Sequence, residues 1–231
     1  MSELVTVEEL SKVRSSAELI QWVGAKFDEI AKVEGGKDAV RMREGRCKEL
    51  VEEVYPLSIF AMKKYGEVND VLFTPVIGNQ NYDAVVKSKD ENYKLEITLA
   101  HEGEMEFLRR LMLKEKGYAP ASGQIKKTGT KNTGIKVEEE LAAKNVDDWL
   151  NEQIGLIREA LGRKLKKDYE AGTSLLIMFE DVVSFDEEEE RNALYEVVEK
   201  ELGPQSNKHG FNKLYLASWS KRLFIEWSPD E

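Results

Sequence analysis

The stretch NYDAVVKSKDENYKLEITLA, residues 81–100, decides the fold. Strand-forming residues flank the turn-prone SKDE at 88–91, so the stretch reads as two antiparallel strands closed by a tight hairpin. A hairpin closed there pairs residues whose numbers sum to about 179, which sets Asp83 opposite Glu96. Side chains alternate between faces along a strand. Asp83 and Val85 therefore share a face with Lys94, Glu96 and Thr98, while Tyr82, Ala84, Val86, Tyr93, Leu95, Ile97 and Leu99 take the other. The second face is apolar and reads as core. Two carboxylates directly opposed on neighbouring strands repel each other, at a cost of up to ~1 kcal/mol. A divalent cation offsets that cost, because oxygen ligands on adjacent strands form the hard anionic site that magnesium takes. The competing reading is an exposed face on which Asp83 and Glu96 make surface ion pairs beside Lys87 and Lys94.

Upstream, VLFTPVI (71–77) supplies a third consecutive strand, and everything before it is helical in pattern. Thr6 with Glu9, and Ser15 with Glu18, have capping-box spacing, so a short helix and a longer one ending near Ala31 are expected. Gly35 and Gly36 mark a turn, and a long helix over 38–64 is expected to kink at Pro56. Downstream, a helix over 102–116 leads into a polar loop at 117–136 that contains GYAPASGQIKKTGTKNTG. A second long helical region spans 137–169, with a break near Asn145 and Asp147 and with Leu150, Ile154, Ile157, Leu161 and Leu165 on one face. TSLLIMF (173–179) reads as a central strand buried on both sides. A helix over 186–202 and strands at 213–218 and 222–227 follow. The division expected is an N-terminal helical part, 1–66, packed on an α/β core, 67–231, within one structural domain.

A chain of 231 residues, 41% apolar and 34% charged, buries a substantial core, and no apolar run approaches the ~18 residues of a membrane span. The N-terminal sequence MSELVTVEEL lacks the pattern of a secretory signal, and Cys47 is the single cysteine. A soluble protein of the reducing cytoplasm is the expectation. The net charge of −10 excludes coating of nucleic acid by global charge. Local charge differs: residues 105–136 hold eight basic residues against two acidic ones, a balance of +6. The acidic run at 186–190 reads as a solvated first helical turn. His101 and His209 lack partners at zinc-ligand spacing, and neither a phosphate loop, a dinucleotide fingerprint nor a nucleophile elbow is present.

The order helix, three antiparallel strands, helix, central strand resembles the restriction-endonuclease-like core of the PD-(D/E)XK nuclease superfamily, over roughly residues 49–179. The resemblance implies that Asp83, Glu96 and the Ile97 carbonyl bind magnesium or manganese for phosphodiester hydrolysis. The chain departs from the pattern at Thr98, which stands where the superfamily's lysine is expected. Some members place that lysine elsewhere. Lys94, two residues before Glu96 on the same face, is one substitute, and Lys164, beside Leu161 on the long helix, is another. Their ordinary roles are a strand lysine pairing with Glu96 and a lysine lying along the edge of a packed stripe. Gln153 resembles the glutamine that several branches place beside the metal, although Ile157 replaces the tyrosine that accompanies it in some. Glu49 and Glu53 are candidates for the additional acidic ligand of some members.

Arg109, Arg110, Lys126, Lys127 and Lys131, with nearby glycines, suit a flexible clamp on a nucleic-acid backbone, or else a solvated loop. Three functions follow: a metal-dependent nuclease acting on DNA or RNA; a catalytically inactive nucleic-acid- or protein-binding module on the same fold, in a bacterial or phage defence system; and an acidic protein-interaction factor. The expected partners are nucleic acid, without a membrane, and a homodimer or a protein partner is compatible with each reading.

Overall fold

The computed structural model describes residues 3–119, 124–130, 134–140, 145–181, 187–202 and 211–228. The protein is mixed α/β. Nine strands are described: β1 (Arg14–Ser15), β2 (Leu72–Pro75), β3 (Ala84–Lys87), β4 (Asn92–Ala100), β5 (Gln124–Thr130), β6 (Gly134–Glu140), β7 (Thr173–Phe179), β8 (Phe211–Ser218) and β9 (Phe224–Trp227). Seven of them form one sheet in the order β1-β2-β3-β4-β7-β8-β9, and β5 and β6 form a separate hairpin. The β1 to β4 pairs are antiparallel, β4-β7-β8 is parallel, and β9 returns antiparallel. β4 is the hinge between the two halves, antiparallel to β3 on one side and parallel to β7 on the other.

Both N-terminal capping boxes form, at Thr6/Glu9 and Ser15/Glu18, and they start α1 (Val7–Ser11) and α2 (Ser16–Lys32). The single helix expected over 38–64 is instead interrupted. α3 (Gly36–Met42) ends where Arg43 and Gly45 adopt left-handed backbone, with φ of 56° and 53°. The chain re-enters helix as α4 (Cys47–Glu49), widens into a π-helical turn (Leu50–Val54), and continues as α5 (Tyr55–Lys64). Pro56 explains the widening: it has no N–H to give the turn before it and crowds the carbonyl four residues back. α2, the π-turn and α5 cover one sheet face, packing Leu19, Leu50, Val54, Leu57 and Phe60 on Phe73, Ala84, Val86, Leu95 and Ile97. The apolar face read from the hairpin sequence is therefore this core.

α6 (Gly103–Lys116) leaves β4 as expected. The polar loop expected at 117–136 holds β5 and the start of β6, a hairpin whose Ile125 and Val137 pack on Leu108 and Met112 of α6. Ile135 and Val137 alternate as in a strand, so the helix expected from 137 begins only at α7 (Val146–Leu165), where the Asn145 side chain accepts the Asp148 N–H at 2.7 Å. α7 and α8 (Glu187–Leu202) cover the second sheet face through Ile157, Ala160, Leu161, Leu194 and Val198. β7 is buried at all seven positions: Leu176 and Met178 enter the first core, Leu175, Ile177 and Phe179 the second. In the acidic run, Glu190 is 1% exposed and pairs with Arg222 of the β8–β9 turn, so it is not part of a solvated turn. Among the described residues no helix is long and apolar enough to cross a membrane.

Candidate functional site

The register of β3 on β4 is the one the sequence implies: Ala84 faces Leu95 and Lys87 faces Asn92. Regular pairing stops at Asp83. Its backbone N–H still reaches the Leu95 carbonyl at 2.9 Å, while its Oδ2 accepts the Ile97 N–H at 2.6 Å. The Asp83 carboxylate thus takes the position of the backbone carbonyl that the next rung would supply. Hydrogen-bonded residues of an antiparallel strand turn both backbone groups to the same side, so the Ile97 carbonyl also faces the Asp83 side.

Glu96 points to the opposite sheet face from Ile97, beneath α7, and is 5% exposed. This removes the reading of a solvated face with surface ion pairs. Its Oε1 accepts the Lys164 ammonium and the Tyr169 hydroxyl, the latter at 3.4 Å. Lys164 comes from the last turn of α7. Glu96 is therefore paired with a cation from a helix 68 residues further along the chain.

Lys94 does not pair with Glu96. Its ammonium pairs with Glu170 and lies 4.5 Å from the centre of the Tyr82 ring. The pairing with Glu170 holds Lys94 above its ordinary pKa. Gln153 stands at the other end of α7, where its amide donates to the Ala100 carbonyl at 3.3 Å. Ala100 lies four residues beyond Glu96 on β4, about 13 Å along the strand, so Gln153 is not beside the carboxylate pair.

The π-turn contributes a third acidic group. Burial, with the charge of Asp83 next in importance, pushes the Glu53 carboxyl up to about 8. Burial and then the charge of Glu96 push Asp83 up to about 6, against the Ile97 N–H, Lys164 and Lys167. Tyr169 is raised by burial and by the same two carboxylates. Glu49 turns away: Arg46 donates to its Oε1 at 2.7 Å, and its buried Oε2 has no partner among the described residues. Lys167 and Tyr169 were not anticipated. The signal for Lys167 was the basic run at 163–167 at the end of α7, a placement that suits the helix dipole and here also brings cations to the carboxylates.

The donor set at Asp83, Glu96 and the Ile97 carbonyl is all hard oxygen. Among the described residues no three His, Cys, Asp or Glu side chains converge into a ready-made metal cage. Magnesium does not need one, since it keeps several waters and takes one or two protein carboxylates. The donor types present fit that ion, and Glu96 is already paired with Lys164.

Among the described residues the basic segment does not form one unpaired cationic surface. Arg109 pairs with Glu180 at 3.5 Å, Arg110 with Glu106 at 3.7 Å and Lys127 with Glu104 at 2.9 Å. Lys126 faces Glu138 across the hairpin. Lys131 and His209 lie outside the described residues.

No protein-family model, curated protein or solved structure matches the chain.

Proposed function

We propose that the protein is a divalent-metal-dependent phosphodiester hydrolase with a divergent restriction-endonuclease-like core, acting on DNA or RNA. The observation that carries this reading is the Lys164 ammonium on buried Glu96, in the neighbourhood of Asp83. A cation displaced from Thr98 to α7 is what a migrated catalytic lysine requires. Asp83, Glu96 and the Ile97 carbonyl hold magnesium or manganese, and Glu53 is the additional acidic group. The ion supplies polarisation of a phosphoryl oxygen. Lys164 orients the attacking water and neutralises charge that develops on the phosphoryl oxygens as the water–phosphorus bond forms and the bond to the leaving oxygen breaks. Tyr169 donates to the same Glu96 oxygen and helps hold it in place. The test is calorimetric titration of magnesium or manganese into the wild type and Asp83→Ala, with plasmid and RNA cleavage in parallel. Binding and cleavage that both disappear in Asp83→Ala support the proposal, and absence of both in the wild type contradicts it.

A second reading is favoured by the two partners Glu96 already has, which satisfy its charge without an ion. On that reading the chain is a non-catalytic nucleic-acid- or protein-binding module. It is distinguished by salt-sensitive nucleic-acid binding that Asp83→Ala leaves unchanged and by absence of turnover.

A further inference from the structure

A groove of about 540 Å³ runs between α2 and α5, bordered by Lys221 of the β8–β9 turn. Ile20 and Phe27 of α2 and Tyr55 and Met62 of α5 form its walls and are only half-buried. Phe27 meets Tyr55 edge to face, with ring centres 5.5 Å apart. Gly24 of α2 is exposed at the groove, and a Cβ added there would meet nothing within 4 Å. Two charges border this apolar strip, Asp28 on α2 and Lys221 on the turn. Among the described residues neither takes part in an ion pair, and the Lys221 ammonium has only the Tyr55 ring, 5.8 Å from its centre. Lys221 also holds a left-handed backbone, with φ of 66°, which glycine adopts at less cost. A strained position of this kind persists where the surroundings or a function hold it.

An apolar strip with one acid and one base on its rim carries no net charge and is complementary to itself. In a twofold interface a residue that meets a second residue on the partner is met in turn by its counterpart. Asp28 of each copy then faces Lys221 of the other, and one patch supplies two ion pairs. A ligand with a single charge leaves one of the two groups unmatched. Helices pack by setting ridges of side chains into grooves, and the missing side chain at Gly24 lets a helix of the second copy approach. The net charge of −10 opposes association of two copies in general, so a local arrangement of opposite charges is what selects one register.

We infer that the α2–α5 groove is the contact surface of a twofold-symmetric homodimer, held by apolar packing across Gly24 and by reciprocal Asp28–Lys221 pairs. The inference is independent of the Asp83 site. Sedimentation equilibrium of the wild type is expected to show a monomer–dimer equilibrium. Asp28→Lys and Lys221→Glu each set like charges face to face, and each is expected to weaken dimerisation at least about tenfold. In an equimolar mixture of the two variants one pair is native and the other is reversed in sign, so the heterodimer is expected to form with about wild-type affinity. Recovery on mixing also separates a lost contact from a lost fold, because an unfolded variant does not recover. Gly24→Trp fills the groove from an open position and is expected to abolish dimerisation while the thermal transition remains. A wild type that stays monomeric up to about 1 mM, dimerisation unchanged by both charge reversals or by Gly24→Trp, or no recovery in the mixture of folded variants overturns the inference. If a charge reversal loses its thermal transition, Gly24→Trp decides.

Discussion

Lys164 and Glu96 are each expensive to bury alone and are held against one another with side-chain exposures of 15% and 7%. Removing one partner strands the other charge, at about 3–5 kcal/mol. Lys164→Met is therefore expected to lower unfolding stability by that amount in chemical denaturation. Adding Glu96→Gln removes the stranded charge and restores most of the stability, but not cleavage. The loss of cleavage in Lys164→Met is expected to reach about 10²-fold or more, the usual effect of deleting one group that stabilises transition-state charge. Cleavage that recovers along with stability in the double variant would make the pair purely structural.

The two raised carboxyls at Asp83 and Glu53 give a pH signature. Their folded values, about 6 and about 8, exceed the ordinary 3.8 and 4.5, so the folded protein binds more protons than the unfolded one. Their contribution to stability is full below the ordinary values and is lost as pH rises through about 6 and then about 8. Glu9, Glu18 and Glu226 sit below their ordinary 4.5 and act only in more acidic solution. Burial and nearby Arg43 lower His101, which gives the opposite slope below its ordinary 6.5, so the comparison is made as a difference between variants. Between pH 7 and 9 the melting temperature of the metal-free wild type should fall more steeply than that of Glu53→Gln. Magnesium competes with those protons, so its affinity should rise with pH through about 6. Asp83→Asn should remove that rise, as read by calorimetry at pH 5, 6 and 7.

At the scale of elements, α7 is the lever that brings Lys164 over β4. Its first turn is fixed by Asn145, and Asn145→Ala should cost about 1 kcal/mol in denaturation, as for other helix caps. The start of α7 was misplaced in the sequence because Ile135 and Val137 sit in a run rich in helix-forming glutamate and lysine, and glycine punctuation made the preceding segment read as loop. Only packing on Leu108 and Met112 reveals that segment as a hairpin. The same packing rewrites the basic patch, since α6 brings acidic partners to its cations. If nucleic acid binds the hairpin, Lys126→Ala should reduce the slope of log affinity against log salt by about 1. Lys127→Ala should reduce it less, because Glu104 already competes for that ammonium. Equal effects would mean that the Glu104 pair does not persist in solution. The π-turn was also invisible beforehand. Pro56 announced an irregularity, yet how the helix absorbs it, and hence where Glu53 points, depends on the sheet beneath.

For the whole molecule, the legible parts were those fixed by local pattern. Alternation and a short turn gave the β3–β4 register, capping boxes gave α1 and α2, and the unbroken apolar run gave β7. Register carries Asp83 only to the end of β3, where regular pairing stops and its carboxylate turns to the Ile97 N–H. The cation was harder. Lys94 is close to Glu96 in sequence and shares its face, but Glu170 draws its ammonium away, while Lys164 arrives through a crossover that local sequence does not encode. Gln153 failed for a related reason: the direction of α7 along the sheet carries its first turns to the far end of β4. The central claim is that Asp83, Glu96 and Lys164 form one hydrolytic centre. The most direct measurement is cleavage of supercoiled plasmid and of single-stranded RNA in magnesium or manganese by the wild type, Asp83→Ala and Lys164→Met, each first shown to be folded. The result expected is metal-dependent cleavage by the wild type that both substitutions abolish. Cleavage retained by both folded variants, or by none of the three proteins on any substrate form, would contradict it.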